Sequence, residues 1–136
     1  MDKKDLFNLA KEAMKNSYAP YSNYNVGASL LCINGNVYKG CNIENASYSL
    51  TNCAERTALF SAIANCEKDF EAICIIGGKN GKIIDFAMPC GACRQALSEF
   101  CDADFKVYVG ISEDNVKEFT LGELLPYSFN KSKLGD

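Results

Sequence analysis

A chain of 136 residues, 48% of them hydrophobic, has the size of one domain with one sizeable core. Its 14 basic and 17 acidic residues give a net charge of −3, and lysines scattered as Lys3, Lys4, Lys11 and Lys15 do not make the basic face needed to grip a phosphate backbone. No apolar run nears the ~18 residues of a membrane span, and the charged opening MDKKDLFNLAKEAMKN lacks a secretory core, so a small, weakly charged partner and a cytoplasmic location are expected.

In chain order, Leu6, Leu9, Ala10, Ala13 and Met14 recur at helical spacing and predict a helix over 3–16. SYAPYSNYN is a loop around Pro20. The Asn34-Gly35 pair between YNVGASLLCI and NVYKGCNI predicts a hairpin with strands at 25–33 and 36–42. After a polar loop, Thr51 or Asn52 is placed to cap a helix over 53–66, and AICIIGG at 72–78 reads as a buried strand. A glycine-bearing connection leads to a helix that starts at PCGACRQ, with Pro89 at or just before its first turn. KVYVGIS at 106–112 is a strand; EFTLGELLPYSF gives a short edge strand and one helical turn stopped by Pro126; the tail NKSKLGD is expected to be loose. The order α-β-β-α-β-α-β-β-α predicts an α/β fold: a single domain over 1–136, with a mixed sheet of about five strands and helices on both faces.

Eight cysteines and no histidine exclude a His-ligated metal, a Ser-His-Asp triad and a Cys-His dyad. In a cytosolic chain the thiols are there for metal binding or burial. Cys90 and Cys93 form a C-x-x-C pair, compatible with a metal, a redox pair or two buried thiols. Cys53 also falls at a predicted helix start, where free N–H groups favour a thiolate. Three thiolates and one Zn²⁺ leave about −1, which Arg56 would offset by donating to sulfur. Cys32, Cys41, Cys66, Cys74 and Cys101 are read as buried small hydrophobes, so the metal keeps an open position, the catalytic pattern. Beside such a site Glu55, otherwise an ordinary first-turn carboxylate, becomes a proton carrier.

C-A-E-R at 53–56 followed by P-C-G-A-C-R-Q at 89–95 resembles the cytidine deaminase family, in its small homotetrameric three-cysteine form. The likeness runs from YAPYSNYNVGASLL through GCNIENASYSLTNCAERTAL to ELLPYSF, nearly the whole chain. It implies a three-layer α/β/α cytidine deaminase-like fold and one Zn²⁺ per subunit on Cys53, Cys90 and Cys93. The implied reaction is hydrolytic deamination of free cytidine and 2′-deoxycytidine to uridine and 2′-deoxyuridine, a pyrimidine-salvage step. Water activated by zinc attacks C4, Glu55 shuttles the protons and Arg56 tempers the thiolate charge. The resemblance also implies that Asn42 and Glu44 hydrogen-bond the ribose 3′-hydroxyl, an amide and a carboxylate together suiting a group that both donates and accepts. Tyr48 would reach a neighbouring subunit's site near the 5′-hydroxyl, and Tyr24 and another subunit's Phe129 would stack on the base. Position 24 departs from the family, which more often has Phe there; a buried tyrosine hydroxyl needs a partner.

Three rival readings make different demands. A deaminase acting on nucleic acid or another aminopyrimidine keeps the zinc but has to tolerate Glu44. A structural zinc module needs a fourth cysteine and no role for Glu55. A dithiol redox protein built on Cys90 and Cys93 leaves Cys53, Glu55 and Arg56 unexplained.

Overall fold

In the computed structural model, which describes residues 1–135, the elements follow the expected order. They are α1 (Lys3–Met14), β1 (Tyr24–Cys32), β2 (Val37–Cys41), α2 (Ala54–Ala64), β3 (Phe70–Lys79), α3 (Gly91–Phe100), β4 (Lys106–Ser112), β5 (Asn115–Thr120) and the single turn α4 (Leu121–Leu124). One sheet carries the strands in the order β2-β1-β3-β4-β5. β1 is antiparallel to β2 and β3, β5 is antiparallel to β4, and β3 and β4 run parallel with α3 as their crossover.

Side chains two apart on a strand share a face, and β3 shows why helices cover both. Ala72, Cys74 and Ile76 pack with Leu6, Phe7, Ala10 and Met14 of α1. Ile73 and Ile75 pack with Ala54, Ala58, Leu59 and Ala62 of α2 and Leu97 of α3. The result is a three-layer α/β/α arrangement, with α2 and α3 side by side over one face. Their N-terminal ends carry the cysteines of interest.

Glycine sets how closely the helices approach. A Cβ at Gly27 would stand 2.0 Å from the Ala10 carbonyl oxygen in α1, and one at Gly40 would stand 2.4 Å from the Ala58 nitrogen in α2. Both obstacles are backbone, so the helix itself would have to move. Gly40→Ala is expected to destabilise the fold by about 2–3 kcal/mol and to lower the thermal midpoint by roughly 5–10 °C. A midpoint within 2 °C of wild type, read by circular dichroism, would show that α2 shifts freely on β2.

Several details differ from the sequence reading. Phe7, not Leu9, completes the inner face of α1; Leu9 is only half-buried. The N-cap of α2 is Cys53. Thr51 Oγ1 instead accepts from the Asn45 N–H at 3.2 Å, and Asn52 Nδ2 donates to Thr57 Oγ1 at 3.0 Å. The helix ends at Ala64 because Asn65 and Cys66 reverse the chain, Cys66 in a left-handed conformation at φ 67°. That turn leaves the Cys66 thiol exposed; Cys32 and Cys74 are buried as expected, while Cys41 and Cys101 are half-buried near the ends of β2 and α3. Within the tail, Lys131–Leu134 form an exposed 3-10 turn, with the Asn130 side chain accepting from the Ser132 N–H at 3.1 Å. Residue 136 of that tail lies outside the described residues.

Candidate active site

Two helix starts converge here. Cys53 is the N-cap of α2 and Cys90 the N-cap of α3, whose first turn carries the fully buried Cys93. Pro89 stands just before Cys90, and its missing N–H and fixed φ suit the chain entering α3. The Cys53 and Cys90 sulfurs are 3.7 Å apart, those of Cys90 and Cys93 3.4 Å, and all three lie within 4.8 Å of one another. Thiolates on a tetrahedral zinc, each at ~2.3 Å, are spaced by about 3.8 Å, and the Cys53–Cys90 and Cys90–Cys93 sulfur separations lie close to that spacing. Among the described residues no fourth ligand joins the cluster. A zinc held by these three thiolates would keep one position for water, the pattern of catalytic rather than closed structural sites.

The surroundings favour the thiolate at Cys53. Cys53 is pulled down to about 5 by the Cys93 thiol that donates to it and by Arg56, whose Nη2 donates to Cys53 Sγ at 3.4 Å. Cys93 moves up, because it holds the proton it shares with Cys53 and because it is buried. Helix N-termini behind Cys53 and Cys90 add their own positive ends. Arg56 turns its guanidinium to this cluster, and its buried Nε has no hydrogen-bond partner among the described residues.

Glu55 is only 4% exposed, one residue into α2. Burial raises its pKa above the ordinary carboxylate value, and the neighbouring Cys53 thiolate adds to the rise; its own backbone N–H and the Cys93 thiol partly counter it. Its side chain lines a cavity of about 240 Å³ shared with Cys53 and Cys90. That volume is small for a ligand pocket and suits a single ring. Val26, Ile75, Phe86 and Met88 supply apolar walls. Lys117 of β5 braces one of them, with Nζ 4.4 Å from the centroid of the Phe86 ring. Tyr24, 40% exposed at the start of β1, also lines this cavity.

A second, open cavity shares Thr51 with the first and is lined by Tyr21, Ser22, Glu44 and Tyr48. Glu44 accepts from the backbone N–H groups of Tyr21 and Ser22 at 2.9 and 3.1 Å and from the Ser22 hydroxyl. Those donors, Ser22 Oγ first, hold its carboxyl below the usual range. Asn42 lines the ring-sized cavity, with Oδ1 accepting from the Ser17 hydroxyl and from the Val26 N–H at 3.0 Å, and Nδ2 donating to the Tyr24 carbonyl at 2.7 Å. Both hydrogen bonds to the Asn42 oxygen and one from its nitrogen are therefore made within the chain, which leaves one amide N–H without a partner among the described residues.

The cavities do not gather every expected residue equally. Cys53, Glu55, Cys90, Tyr24 and Asn42 line the first, and Glu44 and Tyr48 line the second. Tyr48 is 75% exposed, its ring edge-on to Tyr21. Phe129 lies outside both cavities of its own chain, 63% exposed, its carbonyl accepting from Gln95 Nε2 at 2.7 Å. Sequence reasoning missed Phe86 and Met88, which lie in an irregular connection with no periodic signal. It also passed over Arg94, although that residue sits in PCGACRQ: Nε donates to the Pro89 carbonyl and Nη1 to that of Leu124, both at 2.8 Å, tying the turn before Cys90 to α4.

The family model for the cytidine and deoxycytidylate deaminase zinc-binding region matches residues 1–110. The chain is 46% identical over 136 residues to the cytidine deaminase of Halalkalibacterium halodurans, covering 100% of each. It is 42% identical over 134 residues to that of Sporosarcina psychrophila, covering 98% of this chain and 96% of the relative. The crystal structure of cytidine deaminase from Burkholderia pseudomallei superposes with a TM-score of 0.87 at 44% identity, covering 95% of this chain and 100% of that one.

Proposed function

The chain belongs to the cytidine and deoxycytidylate deaminase family, and from that premise we propose that it is a zinc-dependent hydrolase that removes the 4-amino group of free cytidine and 2′-deoxycytidine, yielding ammonia and the corresponding uridine. The observation that carries this reading is a buried carboxylate, Glu55, opening on the same ring-sized cavity as three sulfurs spaced for zinc.

Zinc held by Cys53, Cys90 and Cys93 supplies Lewis acidity, which makes water a nucleophile near neutral pH. Glu55 does the proton work. Its carboxylate takes a proton from the attacking water and places it on ring N3; it then carries the second proton to the leaving amine, which departs as ammonia. Arg56 holds the ligand sulfurs by hydrogen bonding and offsets their charge. The apolar walls exclude other water from the ring, and Tyr24 offers its face to the base. Asn42 donates to the ribose 3′-hydroxyl and Glu44 accepts from it.

The same proposal includes a homotetramer of single-domain subunits in the cytoplasm. The exposure of Phe129 and Tyr48 supports the assembly, because each has little to touch in its own chain: Phe129 would cover the base, and Tyr48 would approach the 5′-hydroxyl, in a neighbouring copy. None of the eight cysteines is paired in a disulfide, which fits a reducing compartment. No helix is long and apolar enough to cross a membrane.

Purified protein is expected to release one uridine and one ammonia per cytidine consumed. Glu44 should repel a 3′-phosphate, so cytidine 3′-monophosphate is expected to react with a kcat/KM at least about 100-fold below that of cytidine. Glu44→Gln should narrow the gap by weakening the cytidine side and relieving the phosphate side. Equal turnover of the two substrates, or of cytosine within a single-stranded oligonucleotide, would move the reading to a nucleic-acid deaminase.

A further inference from the structure

Beyond the groups that would touch a nucleoside, we infer that Ser17 is a positioning residue for sugar recognition, setting the Asn42 amide from the end of α1. The inference rests on the proposed reading of Asn42 as a reader of the ribose 3′-hydroxyl.

Among the described residues the Asn42 amide has three partners. Two of them, the Tyr24 carbonyl and the Val26 N–H, are on β1. Only the Ser17 hydroxyl comes from elsewhere in the chain. An amide pinned along a single strand still tilts about its terminal torsion, which is broad; a third contact from outside that strand removes this freedom. Ser17 is itself oriented. Asn25 Nδ2 donates to Ser17 Oγ at 3.1 Å, which occupies oxygen lone-pair space and leaves the single hydroxyl hydrogen for Asn42. The backbone fixes the same junction. The Ser17 N–H donates to the Met14 carbonyl at 3.1 Å, where α1 ends, and the Tyr18 N–H donates to the Asn42 carbonyl at 3.0 Å. Asn42 is therefore gripped by adjacent residues through both its main chain and its side chain.

The consequence is chemical as well as geometric. With Ser17 present, both acceptor sites of the Asn42 oxygen are filled from within the protein, and the amide presents only an N–H outward. Without Ser17, one acceptor site is open and the amide tilts, so the outward N–H no longer meets the hydroxyl oxygen while Glu44 takes its hydrogen.

The test is a cycle over enzyme and substrate. Ser17→Ala is expected to raise KM for cytidine about three- to tenfold, the scale of one lost hydrogen bond, with kcat within twofold. For 3′-deoxycytidine, which lacks the group being read, the same variant should match wild type. Ser17→Thr, which keeps the hydroxyl, should restore the cytidine KM. If Ser17→Ala weakens both substrates equally, the residue is merely structural and the inference fails. If wild type itself does not distinguish cytidine from 3′-deoxycytidine, the reading of Asn42 falls first and the inference with it. Should Ser17→Ala not fold, Asn25→Ala frees the Ser17 hydroxyl to turn away and reads the same cycle: a penalty confined to cytidine supports the inference, and an equal penalty overturns it.

Discussion

Glu55→Gln is expected to retain one zinc per chain and lose about 10²- to 10⁴-fold in turnover, the span of a positioned acid–base group. Glutamine has nearly the same shape, and the site is 4% exposed. A neutral amide is cheaper to bury there than a carboxylate, so the fold should not suffer. The amide offers no proton acceptor of useful basicity, and both transfers, to ring N3 and to the departing amine, need one. Zinc is measured by mass spectrometry of the intact protein and turnover by the ultraviolet change from cytidine to uridine. Turnover within tenfold of wild type in a zinc-bearing variant would remove Glu55 from the chemistry. Loss of zinc would instead place it among the ligands.

Cys93→Ala is expected to abolish both metal and activity. Cys93 is fully buried within the cluster and its sulfur contacts that of Cys90. Removing it leaves two thiolates on two different helices, too few for a stable site. Because structural affinity for zinc is folding free energy, the variant should also lose the metal-linked part of its stability. For wild type, zinc at about 1,000 times its dissociation constant contributes about 4 kcal/mol. Added zinc should therefore raise the thermal midpoint of metal-stripped wild type and leave that of Cys93→Ala unmoved. A variant that still binds one zinc per chain would mean that the metal sits elsewhere.

The site was legible to the extent that its chemistry is local. Cys53, Glu55 and Arg56 fall within four positions and Cys90 and Cys93 within another four, so helix-start spacing alone puts their side chains near one another. The unbroken apolar run AICIIGG in β3 likewise announces two covered faces. What escaped depends on chain crossings. The Asn42 amide is set by Ser17, Tyr24 and Val26, which meet it only because β1 pairs with β2 and the segment after α1 runs beside residue 43. Phe86 forms a wall because an irregular connection passes near Lys117 of β5. Phe7 replaces Leu9 on the inner face of α1 because Leu6, Phe7, Ala10, Ala13 and Met14 form one continuous stripe at helical spacing, and Leu9 lies at its edge. The redox alternative for Cys90 and Cys93 already left Cys53 and Arg56 unexplained in the sequence; the structure adds that the Cys53 sulfur stands 3.7 Å from that of Cys90 and accepts from Arg56.

The most direct test of the central claim is a titration of zinc into metal-stripped protein, with bound metal and the rate of uridine formation measured on each sample. The account predicts a rate that rises linearly with bound zinc and levels off at one ion per chain. Full activity in protein free of metal, or one bound zinc per chain with no uridine formed, would contradict it.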